Sequence, residues 1–375
     1  MDLKKLKWLD RLLALLLTLT PRSRLVDPAV SPESILIVKL SAMGDALWLM
    51  PAIKSLTKAL PGAKIDWLTT YRTNPELFEH LSFIHRIIVL PTTMFGLMTF
   101  LVKRIRDLLR YDLIIDADQY YQISELISKM GKHSAGFGTP LKGKTFSVRH
   151  AYVAERNEKL QFRDLFSTTL KSFDLELPAS DWRSTDLLGN HKPPDQLRAL
   201  TQEFHRLDKK ILVLYPGSGQ NAAFRRWPWS NFEQIIQRTS ERAEIVIAGG
   251  PDELALRQKV DCMNHRIYNW IGKWSLLDWA WFLNDLRPVI VGTDGGFLHL
   301  AEAVGVPSLS IFGPAKFSKA GSIHPESIAL EANLDCRPCL KNYLGEVPSS
   351  CWKGTSECLK MITPDKVLAE LESKI

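Results

Sequence analysis

Residues 34–40 read SILIVKL, a nearly unbroken apolar run of the kind needed by a strand buried on both faces. Residues 42–60, AMGDALWLMPAIKSLTKAL, follow with helical spacing. Further runs at 63–70 (AKIDWLTT), 84–90 (IHRIIVL) and 111–117 (YDLIIDA) predict strands, and 94–110 (MFGLMTFLVKRIRDLLR) predicts a helix between two of them. From about 178 to 195, periodicity is lost and Pro, Asp and Asn accumulate, which marks a linker. The pattern then restarts: KKILVLYPGSG, AEIVIAGGP, PVIVGTDGG and PSLSIFGP are apolar runs that each end in a glycine-containing turn. Strands alternating with helices predict an α/β protein with parallel sheets covered on both faces. Their carboxyl ends form the rim where open α/β sheets bind ligands, and two such domains leave a cleft suited to a two-substrate enzyme.

The chain has 375 residues, 45% hydrophobic and 24% charged, enough for two domains with their own cores. A net charge of +7 favours an anionic partner. The cations are dispersed and no nucleic-acid-binding motif occurs, so no nucleic acid is expected as partner. The basic, leucine-rich start MDLKKLKWLDRLLALLLTLTPRSR lacks a small-x-small cleavage site, and its uncharged run is far shorter than the roughly 20 residues of a membrane span. As a helix it places Lys4, Lys7, Arg11 and Thr18 on one face and leucines elsewhere. That pattern suits a helix lying on an anionic membrane surface, or one packed on the protein or at a subunit interface.

The turns carry the candidate chemistry. In YPGSGQNAAFRRWP, Ser218, Gly219 and the neighbouring amides suit phosphate oxygens, with Arg225 and Arg226 adding charge; the plain alternative is a tight turn with two surface arginines. In GTDGGFLHLAEAVG, Asp294 reads equally as a helix cap, while the amides of Gly295 and Gly296 at a helix start form a second anion site. Two anion sites on one rim suit a diphosphate. No G-x-G-x-x-G follows the first strand and no Walker lysine motif occurs, so dehydrogenase and P-loop chemistry lose support. Asp45, at the start of the helix after the first strand, reads on composition alone as an N-cap.

These residues together resemble glycosyltransferase family 9, the heptosyltransferases. KLSAMGD is similar to the family's R-x-S-x-x-G-D, YPGSGQNAAFRRWP to its H-P-G-x…K-R-W-P, and DGGFLHLAEAVGVP to its D-[TS]-G-x-x-H-L-A-x-A-x-G-x-P, with FGP after it. YDLIID and GKHSAGF are weaker echoes in the expected order, and the likeness spans roughly 35–365. The resemblance implies the GT-B fold, two Rossmann-like domains with parallel sheets facing a central cleft. It implies an N-terminal helix over 1–30, an acceptor domain over 31–190, and a nucleotide-sugar-binding domain over 191–375. The expected activity is inverting transfer, without a catalytic metal, of heptose or a related sugar from an ADP-sugar to a lipopolysaccharide-core or other lipid-linked saccharide. The setting would be cytoplasmic, at the anionic cytoplasmic face of the inner membrane. Position by position, Asp45 matches the general base, Arg225 the lysine that contacts the donor, and Glu253 the acid that binds ribose hydroxyls. Trp274 falls near the adenine, and Asp294, Gly295, Gly296 and His299 match the sugar and diphosphate loop. The chain departs from the family at Lys39 (for Arg), Tyr215 (for His), Arg225 (for Lys) and Gly295 (for Thr or Ser). Protein heptosylation and a non-catalytic nucleotide-sugar-binding role are the alternatives.

Four of five cysteines, Cys336, Cys339, Cys351 and Cys358, cluster in a loop over 336–358, and their spacing fits a structural zinc or iron as well as four reduced thiols. Cysteine-rich C-terminal loops recur in the family, and its autotransporter-heptosylating branch holds iron.

Overall fold

A computed structural model describes residues 26–28, 30–263, 267–346 and 348–375. The expected N-terminal helix over 1–30 lies almost wholly outside them. The chain separates into two compact units, residues 1–182 with 341–346, and 183–340 with 347–375. Among the described residues, no helix is long and apolar enough to cross a membrane.

The first unit is built on β1 (Ser34–Val38), β2 (Lys64–Thr69), β3 (Arg86–Val89), β4 (Leu113–Asp116), β5 (His133–Gly138) and β6 (Val148–Ala151), all parallel, in the order β3-β2-β1-β4-β5-β6. Helices α1 (Met43–Ala59), α2 (Met94–Leu108), α3 (Gln122–Ser128) and α4 (Glu158–Lys171) cover it. Central β1 and β4 are the most apolar strands because both faces are covered; Ile35–Val38 and Leu113–Ile115 are fully buried.

The second unit repeats the plan. β7 (Lys210–Tyr215), β8 (Ala243–Ile247), β9 (Ile267–Asn269), β10 (Val289–Thr293), β11 (Leu309–Phe312) and β12 (Ile328–Glu331) pair in parallel as β12-β11-β10-β7-β8-β9. Its main helices are α5 (Ser184–Leu188), α6 (Asp195–His205), α7 (Trp229–Thr239), α8 (Leu254–Asp261), α9 (Leu276–Leu286) and α10 (Gly296–Ala303). Renumbered from its own first strand, this sheet has the same order as the first, the doubly wound Rossmann order. In each sheet the chain direction of winding reverses between two central neighbours, β1/β4 and β7/β10. Crossover helices diverge there and leave a crevice at the strands' carboxyl ends. The loops after β1, β4, β7 and β10 therefore occupy the ligand-binding positions of both units.

Candidate functional site

In the first unit the loops after β1 and β4 meet around Lys39. This side chain is fully buried, its Nζ 2.9 Å from Asp45 Oδ2 and 3.3 Å from Asp118 Oδ1, and donating to Gln119 Oε1 at 2.8 Å. Burial alone would depress the Lys39 ammonium; the carboxylates of Asp45 and Asp118 outweigh it and hold it above its ordinary value. Asp118 is fixed in turn by the Leu40 amide, which donates to its Oδ2 at 2.7 Å. Asp45 sits at the third position of α1, its side chain about one-fifth exposed. It does not cap the helix: the N-cap is Ala42, with no side-chain cap bond. The buried ammonium, and not the helix's free amides, has claimed the carboxylate.

Behind this pair lies a second buried one. Lys142 Nζ is 2.6 Å from Asp116 Oδ2 and donates to Ser124 Oγ at 2.7 Å and to the carbonyls of Asp118 and Tyr121. Burial pushes Asp116 up to about 7 against the pull of Lys142, with the Asp118 charge adding to the rise. Gln119 also donates to Glu158, whose other oxygen accepts from Tyr152. The Tyr152 ring stacks on Tyr343 with centroids 5.1 Å apart, which ties the returning segment 341–346 into this unit. Sequence reading singled out only Asp45 here. The available signal was the acidic end of YDLIIDAD: two buried acids, one ending a parallel strand and one just past it, need partners, and Lys142 and Lys39 supply them.

In the second unit the turn after β7 is shaped by Gly219, whose φ of +75° lies in the left-handed region. Ser218 Oγ donates to the Ala222 carbonyl at 2.8 Å and accepts from Arg226 Nε at 3.3 Å. Arg226 reaches on to Glu253 Oε1 at 3.0 Å, while Glu253 Oε2 accepts the Gly250 amide at 2.9 Å. Glu253 is almost fully buried, and a carboxylate with about four acceptor positions retains capacity for a hydroxyl donor. Arg225 lies 3.5 Å from Asp294, a long contact for an ion pair. Asp294, like Asp45, is not a cap: Gly295 is the N-cap of α10. His299 lies half-buried on that helix. Gly296 is the first residue of α10.

Two departures from the family pattern prove to be linked. The Tyr215 ring stacks on Phe297 at 4.9 Å, and a Cβ placed on Gly295 would lie 3.1 Å from Tyr215 Cε1. Tyrosine at 215 leaves little room for a side chain at 295. Burial raises the Tyr215 phenol well above its ordinary value, so it stays a neutral donor.

The structure thus brings together Ser218, Arg226 and Glu253, and separately pairs Arg225 with Asp294. Trp274 joins neither pair; it packs edge-on against Trp270 at 5.7 Å with Lys273 over its ring. Among the described residues, Arg225 Nε, Thr293 Oγ1 and Trp274 Nε1 are buried without a hydrogen-bond partner. Such groups are uncommon in folded proteins, and each calls for an explanation.

The four clustered cysteines line one small cavity of about 20 Å³. Cys339 Sγ donates to the Cys336 carbonyl at 3.0 Å and Cys351 Sγ to the Thr355 carbonyl at 3.1 Å. Burial pushes the Cys358 thiol up. Among the described residues, no three His, Cys, Asp or Glu side chains converge as metal ligands. The expected structural zinc or iron is therefore not supported: two of the four thiols are turned onto backbone carbonyls. Arg337, inside the CRPC turn, instead holds the loop by donating to the carbonyls of Gly313, Ala332 and Ala315 and pairing with Glu331 at 2.6 Å.

The model of glycosyltransferase family 9 (heptosyltransferase) matches residues 99–346. Lipopolysaccharide heptosyltransferase 1 of Pseudomonas aeruginosa is 24% identical over 380 residues, covering 91% of this chain and 98% of that protein. Among solved structures, a family 9 glycosyl transferase from Veillonella parvula superposes with a TM-score of 0.69 at 18% identity, over 94% of this chain and 98% of that one. The E. coli heptosyltransferase WaaC with ADP-2-deoxy-2-fluoro heptose gives 0.65 at 18% identity, over 91% and 100%. The shared architecture is the GT-B fold of two Rossmann-like domains.

Proposed function

The chain belongs to glycosyltransferase family 9, the heptosyltransferases, and from that premise we propose that it transfers heptose from ADP-heptose to a lipopolysaccharide-core saccharide, with Asp45 as general base. The observation that carries the proposal is the Asp45 carboxylate, anchored by the buried Lys39 ammonium at 2.9 Å and still partly open to solvent. Such a carboxylate is held in one orientation with an oxygen left open to a hydroxyl, as a proton acceptor requires. An acceptor hydroxyl attacks the anomeric carbon, its oxygen forming the new bond as the bond to the ADP oxygen breaks. Asp45 takes the hydroxyl proton, and attack opposite the leaving group inverts the anomeric centre.

In the proposed division, the domain over residues 191–375 takes the donor and the domain over 31–190 takes the acceptor. Charge develops on the departing diphosphate, and preorganised donors aimed at it lower the barrier. Arg225, loosely held by Asp294 and with its Nε unpartnered, supplies one such donor. Ser218 and the backbone around Gly219, Gly295 and Gly296 supply others. Glu253 accepts from the ribose hydroxyls, Trp274 borders the adenine, and Asp294 and His299 hold the sugar. The ADP-heptose analogue carried by the similar WaaC structure supports this donor. The reaction would run at the cytoplasmic face of the inner membrane, where its acceptor is lipid-linked.

The test is transfer of heptose from ADP-heptose to heptose-deficient lipopolysaccharide, followed by release of ADP and mass of the product. The unaltered protein should transfer; Asp45→Asn should lose about 10²–10⁴-fold in kcat, the range of a general base. Transfer undiminished in a folded Asp45→Asn protein would end the base assignment, and no product with ADP-heptose would end the donor assignment.

A further inference from the structure

Helix α2 has two different sides. Its inner side carries Leu97 and Leu108, buried in the core with Leu36, Val38 and Tyr111, and Phe100 and Leu101 pack against them. Its outer side carries Phe95, Met98, Val102 and Ile105, continued by Leu109 just past the helix, and all five are exposed, Phe95 by 84% and Val102 by 73%. Their spacing of three, four, three and four residues confines them to an arc of about 80° at 100° per residue. The fifteen helical residues make this stripe about 22 Å long. It is not the face that holds the helix to its own domain.

Cations border the stripe on one side. Arg106, Arg110 and Lys103 fall within about the next 80° of arc, and all three are exposed. Among the described residues none of the three has an acidic partner; the helix's own acid, Asp107, pairs with Arg104 at 3.0 Å. An open groove of about 270 Å³ adjoins the stripe, lined by Pro91, Phe95, Thr99, Phe100, Lys103 and Arg104. It is apolar along its floor and cationic at one end.

We propose that α2 is a docking surface for an anionic lipid bilayer. Phe95, Met98, Val102, Ile105 and Leu109 enter the boundary between head groups and acyl chains, and Lys103, Arg106 and Arg110 meet lipid phosphates. An apolar stripe on a cation-bordered helix is the pattern of an interfacial helix. Charge selects this occupant over a second copy of the chain. Pairing two such stripes would bring two sets of three unpaired cations together, whereas a bilayer of anionic lipid attracts them. The inference stands on this helix and not on which sugar is transferred.

Flotation of the full chain with vesicles tests it. The probe is phosphatidylethanolamine containing about a third phosphatidylglycerol, with phosphatidylcholine vesicles as the neutral control. The protein should float with the anionic vesicles and less so as salt rises. Each interfacial cation contributes about fivefold, so Lys103→Gln/Arg106→Gln/Arg110→Gln should bind on the order of a hundredfold more weakly. Met98→Ser/Val102→Ser should lose at least about tenfold through apolar burial alone. Both variants change only exposed residues and should keep the circular dichroism spectrum and transfer to detergent-dispersed acceptor. That assay separates a failure here from a failure of the proposed reaction. Binding equal for variants and unaltered protein overturns the inference, since another part of the chain would then carry it. So does a dimer in light scattering that Met98→Ser/Val102→Ser turns to monomer, with no vesicle binding, because a second copy would then cover the stripe.

Discussion

Replacing Lys39 with methionine keeps the length and most of the volume of the side chain and removes only the ammonium. Three oxygens lose their partner: Asp45 Oδ2 at 2.9 Å, Asp118 Oδ1 at 3.3 Å and Gln119 Oε1 at 2.8 Å. Asp45 can turn to solvent, but Asp118 is wholly buried and keeps the Leu40 amide at 2.7 Å. Removing one member of a buried ion pair typically costs about 3–5 kcal/mol because the other charge is left uncompensated. At roughly 2–4 °C per kcal/mol for domains of this size, Tm should fall by roughly 6–20 °C. Urea and thermal unfolding measure the loss. The double variant Lys39→Met/Asp118→Asn removes the orphaned charge as well, so it should recover part of the loss, a non-additivity expected of direct partners. At a temperature where the variant is folded, kcat for heptosyl transfer should drop while KM for ADP-heptose stays put, because the proposed donor contacts lie elsewhere. Lys39→Arg should restore much of both. A stability loss below about 1 kcal/mol would refute the buried-pair reasoning. An unchanged kcat in folded Lys39→Met would refute the positioning of Asp45 by this lysine.

Two further outcomes follow from the same packing. Asp116 has its folded value raised from 3.8 to about 7, by burial first. It binds its proton more tightly folded than unfolded, so its stabilising contribution is complete below its unfolded value and is lost as pH rises through about 7. Urea unfolding at about pH 5 and about pH 8 should show that decline, and Asp116→Asn should flatten it; a slope that survives in the variant would exclude Asp116 as its source. Restoring the family's side chain by Gly295→Ser should cost about 1–3 kcal/mol through overpacking against Tyr215, given the 3.1 Å approach. Tyr215→His in the same protein should relieve most of it, and strictly additive effects in the four-protein cycle would show that the two positions do not communicate.

Much of the architecture is written locally. The runs at 34–40, 63–70, 84–90 and 111–117, and the four glycine-ended runs of the second half, all contain strands of the two sheets. A strand covered on both faces must be apolar at nearly every position, so it leaves an unbroken signature. The strands without that signature are β6, β9 and β12, which lie at sheet edges and have only three or four residues. β5 is also missed, since its HSAGFG carries few large apolar side chains. Family motifs made the candidate residues legible one at a time: Asp45 after β1, the turn after β7, the loop after β10.

Tertiary structure decided what those residues touch. Asp45 and Asp294 both read as helix caps, since an acid at a helix start usually finds free amides. Folding assigned the caps to Ala42 and Gly295 and paired the acids with Lys39 and Arg225. Lys39 and Asp118 are 79 positions apart, and only the β1–β4 pairing brings them within 3.3 Å. Likewise the cysteine spacing satisfied ligand arithmetic, but the loop turned two of its thiols toward carbonyls. Spacing along a chain constrains which residues share an element, because helix and strand geometry are local. It leaves open which charges meet across a sheet, because that depends on strand order, and strand order is settled by the burial of whole elements.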